Sequence, residues 1–211
     1  MPFERRKAVY DIASKYDIII VEDEPYYFLQ LDPHVKASER TKPAHVSNEE
    51  FIKSLVPSFL HWDVDGRVIR LDSFSKVFAP GSRLGWMTDQ KTILERFLRV
   101  HETSIQTPSG FCTAIIYGTL ARWGQEGFID WLQVLRHEYT YKRDSAIDSA
   151  FKYVPSFAEV HVPIAGMFFT ISFDATKHPE FKTKYNSDPL ALEKDIYDIT
   201  IQKNALLVPG S

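Results

Sequence analysis

The sequence predicts an α/β fold, because helical and strand patterns alternate along its first part and one strand is an unbroken apolar run. That strand, residues 17–24, reads Asp-Ile-Ile-Ile-Val-Glu-Asp-Glu, which is typical of a strand buried in a parallel sheet. With 44% hydrophobic and 25% charged residues, the composition is that of a globular chain rather than a disordered one. We therefore expect a parallel sheet with helices, followed by a smaller α+β region.

The first half of the chain carries a helical pattern followed by a polar excursion. Residues 2–16 show apolar side chains at helical spacing and predict a helix that leads directly into the apolar strand. Residues 32–62 are polar and too many for a plain loop, so a short helix is expected over 48–55. Ser47 would cap that helix, with Glu50 at the capping-box position. The next predicted elements are a turn at 63–66 and strands at 67–72 and 83–88.

The second half begins with helical patterns and continues with strand patterns. Helices are predicted over 92–102, 109–123 and 125–151, followed by paired strands at 158–162 and 167–173 with a turn at 163–166. The longest helix has an apolar stripe made of Phe128, Trp131, Leu132, Leu135 and Tyr139. Such a stripe usually packs against a core, and this is the favoured interpretation; a helix that moves between two domains is the alternative.

The loop at residues 73–85 has the side chains that a phosphorylated aldehyde cofactor needs. The amine of Lys76 can form a Schiff base with an aldehyde, and a neighbouring positive charge such as Arg83 would keep that amine nucleophilic. The hydroxyls of Ser73 and Ser75 and the guanidinium of Arg83 are groups that donate to a phosphate dianion. An ordinary exposed loop is the alternative, since short motifs often match by chance.

Carboxylates end the apolar strand, where open α/β sheets place their ligands. One carboxylate here could hold a pyridine nitrogen protonated, and the tyrosine three residues after Asp23, Tyr26, could hydrogen-bond a ring oxygen. Two alternatives stay open. The acids could be a solvated strand end, or they could be the metal-binding acids of a nucleotide hydrolase. The second is weakened because the chain has no Gly-x4-Gly-Lys-Ser/Thr loop.

Two stretches of the chain together resemble a known family. Residues 21–28 read Val-Glu-Asp-Glu-Pro-Tyr-Tyr-Phe, and residues 70–86 contain Arg-Leu-Asp-Ser-Phe-Ser-Lys followed by Ala-Pro-Gly-Ser-Arg-Leu-Gly-Trp. The chain is similar to the fold-type-I, class I/II aminotransferases that use pyridoxal 5'-phosphate, above all to the aromatic and 2-aminoadipate/kynurenine branch. The resemblance implies these roles: Lys76 as Schiff-base lysine and proton shuttle, Asp23 on the pyridinium nitrogen, Tyr26 on the ring hydroxyl, and Ser73, Ser75 and Arg83 on the phosphate.

The same resemblance implies an architecture and a reaction. It predicts part of a three-layer α/β/α large domain of the aspartate aminotransferase type over residues 1–130, and an incomplete small α+β domain over 131–211. The implied reaction is transamination between an aromatic or long-chain amino acid and a 2-oxo acid, by a homodimer in the complete protein. The family's Asn-Pro-Thr-Gly segment and its substrate-binding arginine are absent from the sequence. We therefore expect the chain to be part of a longer gene product.

Two other functional hypotheses stay open at this point. Bacterial transcription regulators with an aminotransferase-like sensor domain share the Ser-Phe-Ser-Lys and Pro-Gly-x-Arg-x-Gly elements, and they carry a DNA-binding module upstream. A catalytically incomplete fragment is the other hypothesis.

The composition gives no sign of a nucleic-acid, membrane or metal partner. The net charge of −3 and the scattered Lys and Arg residues argue against a nucleic-acid or membrane surface. The histidines lack the spacing of metal ligands, so no metal site is predicted. The single cysteine, Cys112, fits a reducing compartment. We expect a cytoplasmic location, with a mitochondrial one as the alternative.

Overall fold

The computed structural model describes residues 1–41, 43–155 and 157–210. The chain forms two compact units. The first unit consists of Met1–Ser145 together with Pro163–Met167, and the second unit of Ala146–Val162 together with Phe168–Ser211. The loop at residues 73–85, called the Lys76 loop below, and every predicted site residue lie in the first unit.

The elements follow one another in the order that the sequence predicts. The helices are α1 (Phe3–Lys15), α2 (Asn48–Ser54), α3 (Lys91–Thr103), α4 (Gly110–Tyr153) and α5 (Pro189–Gln202). The strands are β1 (Ile20–Asp23), β2 (Val68–Ser73), β3 (Gly85–Thr88), β4 (Ala158–His161) and β5 (Thr170–Phe173). Each predicted helix and strand is present, most of them with ends shifted by a few residues. Helix α5 is an addition, although its start has the usual signals: the side chain of Asp188 caps it and Pro189 is its first residue.

The first unit contains a sheet with the strand order β1-β2-β3. Strands β1 and β2 are parallel, with Ile20 opposite Val68 and Asp23 opposite Leu71. Strands β2 and β3 are antiparallel, and Ser73 lies opposite Gly85. The Lys76 loop therefore joins the end of β2 to the start of β3, and this position between the two strands is confirmed.

The prediction of a strand buried on both faces is wrong for residues 17–24. Only residues 20–23 are extended in the sheet, and Ile19 and Val21 are 55% and 59% exposed. The reason is that β1 lies at the edge of the described sheet, and helix α1 and the turn at Phe59–Trp62 cover one face of it. Ile20 packs on that covered face with Tyr10, Phe59 and Val68.

The largest core cluster of the first unit lies beside the Lys76 loop. Phe51, Leu55, Val77 and Leu132 are buried in it, and Phe128, Trp131 and Leu135 pack against it. The apolar stripe of α4 is thus a packing face, as the spacing indicates. The same cluster contains Val77, the residue that follows Lys76, so the core holds one end of the loop.

Two local predictions about helix boundaries are confirmed in detail. Ser47 caps α2, and the reciprocal contacts of a capping box with Glu50 are both present. The predicted helix ending at Trp123 and the one starting at Gln125 form α4, which is interrupted by non-helical dihedral angles at Gly124 (φ 67°, ψ −177°). Only glycine adopts this conformation readily, which explains the break.

Residues 163–167 connect β4 to β5 in sequence but belong to the first unit. Leu31 N donates to Ile164 O at 2.9 Å, Gly166 N donates to Leu29 O at 2.8 Å, and Ala165 forms an antiparallel bridge with Gln30. In the second unit, β4 and β5 pair antiparallel, and Phe181, Tyr185 and Leu192 form its core. No helix in the described ranges combines the length and apolar character needed to cross a membrane.

Candidate functional site

The segment that follows β2 folds back on itself and presents two serine hydroxyls. Ser73 is the last residue of β2, and its Oγ lies 3.0 Å from Ser75 Oγ. The Ser75 backbone N–H donates to Ser73 Oγ at 3.1 Å, and the N–H groups of Phe78 and Ala79 both donate to Phe74 O. These bonds form a tight turn that holds the two hydroxyls side by side and starts the segment carrying Lys76.

Arg83 joins this pair of hydroxyls from the far end of the loop. Its Nη1 donates to Ser75 Oγ at 3.4 Å and to Pro80 O at 3.5 Å. The backbone of Arg83 is left-handed, with φ 48° and ψ 39°, and this turns the guanidinium toward Ser75. The three residues predicted to bind a phosphate, Ser73, Ser75 and Arg83, are therefore brought together by the fold.

Lys76 and Tyr26 also meet, although 50 positions separate them in the sequence. The Lys76 Nζ lies 5.7 Å from the centre of the Tyr26 ring. Tyr26 sits in the turn that follows β1, where Tyr27 N donates to Glu24 O and Leu29 N donates to Tyr26 O at 2.8 Å. The turn after β1 and the loop after β2 thus converge on the amine.

Asp23 lies at the same edge of the sheet as these groups. It is the last residue of β1 and is exposed. Since β1 and β2 run parallel, their carboxyl ends meet at one edge, and Asp23 has Leu71 as its register partner. Side chains alternate along a strand, so Asp23, Leu71 and Ser73 point to the same face. Asp23 therefore lies opposite Leu71, the residue two positions before Ser73 on the neighbouring strand.

The Lys76 loop is anchored to the first unit at both ends. Trp131 Nε1 donates to Val77 O at 2.7 Å, and the Val77 side chain is 3% exposed. At the other end, Gly85 lies so close to β2 that an added Cβ atom would be 2.6 Å from Asp72 O. Glycine at 85 is therefore required by close packing. The hydroxyls of Ser73 and Ser75 and the amine of Lys76 lie in sequence between the two held residues, Asp72 and Val77.

A buried charged network that the sequence reasoning missed lies under the ends of β1 and β2. Arg6 Nη1 donates to Glu22 Oε1 at 2.5 Å, and Arg70 donates to both oxygens of Asp72 at 2.7 Å. Tyr27 lies beside this network, and burial is the main cause of the raised pKa of its hydroxyl. The signal available in the sequence was the pair of charged residues inside the apolar strand 67–72.

The network keeps Arg70 ionised in spite of its position. Burial disfavours the charged form of the guanidinium, but the hydrogen bonds to Asp72 and the charges of Asp72 and Glu22 outweigh it, and the pKa of Arg70 is raised. Arg70 therefore remains a fixed positive charge beside the strand ends.

Two cavities among the described residues of the first unit are lined by other residues than those of the predicted site. A groove of about 700 Å³ lies against β3 and α3, between Leu71, Trp86 and Leu98. A cavity of about 320 Å³ lies beside α2 and α4, around Phe51 and Arg136. Of the predicted site residues, Asp23 and Arg83 are exposed, and Tyr26, Ser73, Ser75 and Lys76 are half-buried. Among residues 1–41, 43–155 and 157–210, no group of three His, Cys, Asp or Glu side chains could hold a metal ion.

Comparison with known proteins identifies relatives along the whole chain. No protein-family model matches it. An aromatic amino acid aminotransferase of Schizosaccharomyces pombe is 44% identical over 195 residues, covering 88% of this chain and 41% of the relative. The mitochondrial kynurenine/alpha-aminoadipate aminotransferase of Bos taurus is 38% identical over 168 residues, covering 80% of this chain and 35% of the relative. The chain thus spans about two fifths of the length of such curated relatives.

Solved structures agree with the sequence comparison. The aminotransferase Aro8 from Candida albicans is 51% identical and superimposes with a TM-score of 0.94, over 100% of this chain and 44% of that one. A kynurenine aminotransferase of Pyrococcus horikoshii, solved in complex with PMP, is 25% identical with a TM-score of 0.73, again over 100% of this chain and 43% of that one.

Proposed function

We propose that the chain belongs to the fold-type-I aminotransferases, in the aromatic and kynurenine/aminoadipate branch, and that it carries the lysine side of a transaminase active site. The reaction would move an amino group from an aromatic or long-chain amino acid to a 2-oxo acid. The observation that supports this proposal most is the convergence of Lys76, Tyr26 and the Ser73–Ser75–Arg83 group at one sheet edge.

The residues at this edge fit pyridoxal 5'-phosphate. Two neighbouring hydroxyls and a guanidinium form a donor set that matches a phosphate dianion. The amine of Lys76, on the same loop, can react with the aldehyde of the cofactor. The carboxylate of Asp23 ends the adjacent strand. This donor set, together with the PMP held by the Pyrococcus horikoshii relative, supports the choice of cofactor.

Arg83, Ser73 and Ser75 would bind and orient the cofactor through its phosphate. Asp23 would hold a proton on the ring nitrogen, because a carboxylate beside a pyridinium favours its charged form. The Tyr26 hydroxyl would donate to the ring oxygen. We propose these roles from the family resemblance and from the shared sheet edge of the residues.

Lys76 would carry the cofactor through its amine and then move the α-proton of the amino acid. When bound, pyridoxal 5'-phosphate supplies an electron sink for the carbanion formed at the α-carbon. Lys76 Nζ would accept that proton as a general base and return it as a general acid at the other end of the reaction. The Tyr26 ring below Nζ limits the directions that the amine can take.

The remaining parts of the proposal concern the whole protein. We propose that residues 1–130 are part of the cofactor-binding large domain and that 131–211 are part of a small domain. This boundary lies within α4, before Ser145, where the first compact unit ends. We also propose a homodimer and a cytoplasmic location. A mitochondrial location is the alternative, since one relative is named mitochondrial.

The first experiment is covalent trapping at the lysine. The protein is incubated with pyridoxal 5'-phosphate, reduced with borohydride and mapped by peptide mass spectrometry, beside Lys76→Ala and the control Lys91→Ala. Lys91 is a suitable control because its side chain is exposed at the start of α3. We expect one adduct per chain at Lys76, which Lys76→Ala removes and Lys91→Ala leaves. Labelling spread over many lysines and unchanged in Lys76→Ala would contradict the proposal.

Substrate class is tested on cofactor-loaded protein that has not been reduced. Tyrosine, kynurenine and 2-aminoadipate are each added, and the corresponding 2-oxo acid is measured in a single turnover. An amine product on the cofactor together with an oxo acid from one of these donors supports transamination. Specific labelling at Lys76 without oxo acid from any amino acid would leave a cofactor-binding role and would overturn the enzymatic one.

A further inference from the structure

We propose that Arg70 and Glu22 are positioning residues that lock the register of β1 on β2, and that this register sets Asp23 relative to Ser73 and Lys76. The inference rests on the proposed function for its consequence in catalysis. Its structural part, the lock itself, rests on the buried charged network alone.

Glu22 is a buried carboxylate whose two oxygens both have partners. It is 4% exposed, and Arg6 donates to its Oε1 at 2.5 Å. The Ser58 hydroxyl and the Phe59 N–H also donate to it, the latter at 3.2 Å. These partners come from α1 and from the turn after α2, so they hold Glu22 in one position relative to the first unit.

Arg70 is the matching buried cation on the neighbouring strand. It is 7% exposed, lies 3.8 Å from Glu22 and donates to both carboxylate oxygens of Asp72 at 2.7 Å. Its guanidinium also stacks on the Tyr27 ring at 4.2 Å from the centroid. A guanidinium forms such a fixed fork because it is planar and keeps its charge.

Glu22 and Arg70 are direct register partners of the parallel pair. A shift of β1 by one residue would turn Glu22 to the opposite face of the sheet, away from Arg6 and Arg70. A shift by two residues would place it opposite Asp72 or Val68. The shift that places Glu22 opposite Val68 would bring Glu24 beside Arg70, but it would bury the Glu22 charge in the apolar cluster of Tyr10, Phe59 and Val68. Opposite Asp72, Glu22 would face a like charge. Arg70 keeps Asp72 in every register, but each shift takes the Glu22 carboxylate away from its buried donors, so the observed register is strongly favoured.

The apolar pattern of β1 cannot provide this specificity by itself. The strand has four residues, lies at the edge of the described sheet, and exposes Val21 on one face. Burial of one face disfavours a shift by one residue. Within β1 only Ile20 packs in the apolar cluster of that face, so the apolar pattern gives little specificity against a shift by two residues. The pair of Glu22 and Arg70 supplies this specificity, and fixing a register is the best-attested role of buried polar groups.

The lock has a direct consequence for the proposed site. Asp23 follows Glu22, and Ser73 follows Asp72, so each site residue is adjacent to a member of the network. A slip of one residue would move Asp23 along the strand by about 3.3 Å and turn it away from the face of Ser73. Asp23 would then no longer be placed to hold a proton on the ring nitrogen of the proposed cofactor.

The test compares substitutions at the two ends of the β1–β2 pair. Arg70→Met and Glu22→Gln disrupt the lock, whereas Arg67→Met is the matched control. Arg67 contacts Ala13 O in α1, Ile18 O just before β1 and Asp65 in the turn before β2, and its side chain is 13% exposed, but it lies immediately before the amino end of β2. Amide hydrogen exchange is measured by NMR for residues 20–26 and 67–76, without cofactor.

We expect Arg70→Met and Glu22→Gln to speed exchange at the carboxyl ends about tenfold or more, at Glu24 N, which donates to Leu71 O, and at Phe74 N. Arg67→Met should speed exchange at Ile20 N, which donates to Arg67 O, and leave Glu24 within about threefold of wild type. An equal change in exchange rate at all amides of both strands, or an unchanged rate at Glu24 N, would overturn the register lock. If Arg70→Met does not fold, Arg70→Lys replaces it, since lysine keeps the positive charge but cannot donate the two parallel hydrogen bonds to Asp72.

The catalytic part is measured separately, as the dissociation constant of pyridoxal 5'-phosphate and the yield of the Lys76 adduct. We expect Arg70→Lys to lower the yield at least several-fold while Arg67→Lys, of matched thermal stability, does not. Equal yields in the two variants would overturn the positioning role. Absence of the adduct in the wild type would contradict the proposed function instead, and the exchange data would still decide the lock.

Discussion

Arg83 has a backbone conformation that a side chain normally avoids. Its φ of 48° is left-handed, and a non-glycine residue there has a cost of about 1–2 kcal/mol. Residues held in such conformations cluster at functional sites. In this chain the conformation carries the guanidinium to Ser75. The strain therefore lies at the place where a phosphate would be bound.

Arg83→Gly separates the two properties of this residue. Glycine adopts the same dihedral angles freely, so we expect the free energy of unfolding to stay within about 1 kcal/mol of wild type. Loss of a charge-assisted donor should weaken pyridoxal 5'-phosphate binding by roughly tenfold or more. Urea denaturation and a cofactor titration measure the two effects. Unchanged affinity would mean that Arg83 does not touch the phosphate; Arg99→Gly, on α3, is the control for a general loss of charge.

Asp23→Ala tests the ring-nitrogen role. We expect the variant to keep cofactor, since the phosphate group and Lys76 remain, but to lose most of the rate of the single-turnover half-reaction, because the nitrogen is no longer held protonated. The measurement is stopped-flow absorbance after addition of an amino acid. Asp11→Ala is the control, since Asp11 is an exposed aspartate on α1. An unchanged rate in Asp23→Ala would contradict the assignment.

At the scale of elements, the capping box of α2 couples stability to pH. Glu50 accepts hydrogen bonds from the Ser47 hydroxyl and N–H, and these lower the pKa of its carboxyl below the ordinary 4.5. A lowered folded-state pKa contributes stability above the unfolded pKa, and this is lost as pH falls through the folded one. The part of the stabilisation that comes from the Glu50 carboxylate is therefore present at neutral pH and lost in acid, whereas the bond from Glu50 N to Ser47 Oγ does not depend on pH.

Ser47→Ala should lower the free energy of unfolding by about 1 kcal/mol at neutral pH. The difference from wild type should shrink as the pH falls below 4.5, the ordinary pKa of the Glu50 carboxyl. Urea denaturation at a series of pH values measures it. Glu49→Gln, one residue earlier and exposed, should have a smaller effect. A difference that grows in acid would show that the box is not the source.

Gly124 provides a second prediction at this scale, with a control in the same helix. Its dihedral angles belong to a region that only glycine populates, so Gly124→Ala should destabilise the protein by about 1–3 kcal/mol. Gly118 also has no atom within 4 Å of an added Cβ but is helical, so Gly118→Ala should stabilise by up to about 1 kcal/mol. Thermal unfolding measures both. The same sign for both substitutions would mean that α4 is continuous through Gly124.

Elements that depend on local signals were predictable from the sequence. The capping box, the break at Gly124 and the Lys76 position between two strands each follow from a few neighbouring residues. What the sequence did not predict depends on distant partners. The exposure of Val21 follows from the covering of only one face of β1, and the docking of residues 163–167 beside 29–31 follows from long-range hydrogen bonds.

The same division applies to the candidate site. The site residues were named from motif resemblance, and the fold brings Lys76 to Tyr26 and Arg83 to Ser75. The network of Arg6, Glu22 and Arg70 was missed, because its members are 16 or more positions apart and each looks like a solvated charge in its own segment. Burial of a charge is a tertiary property that local patterns do not encode.

At the scale of the whole molecule, each of the two units has a hydrophobic core of its own. Leu132 is 1% exposed in the core of the first unit, and Leu192 is 1% exposed in the core of the second. The two residues are equally buried leucines on helices, so they form a matched pair. Because each unit buries its own apolar cluster, we expect each to open with its own free energy.

Leu192→Ala and Leu132→Ala test this independence. Each removes buried methyl groups and should lower the local stability of its own unit by about 2–5 kcal/mol. Native-state hydrogen exchange should therefore speed up in β4, β5 and α5 for Leu192→Ala, with β1 and β2 unchanged, and the reverse should hold for Leu132→Ala. Equal acceleration in both units by either substitution would mean that the chain unfolds as one cooperative body. In that event the sheet edge carrying Lys76 would depend for its stability on the core around Leu192 as well.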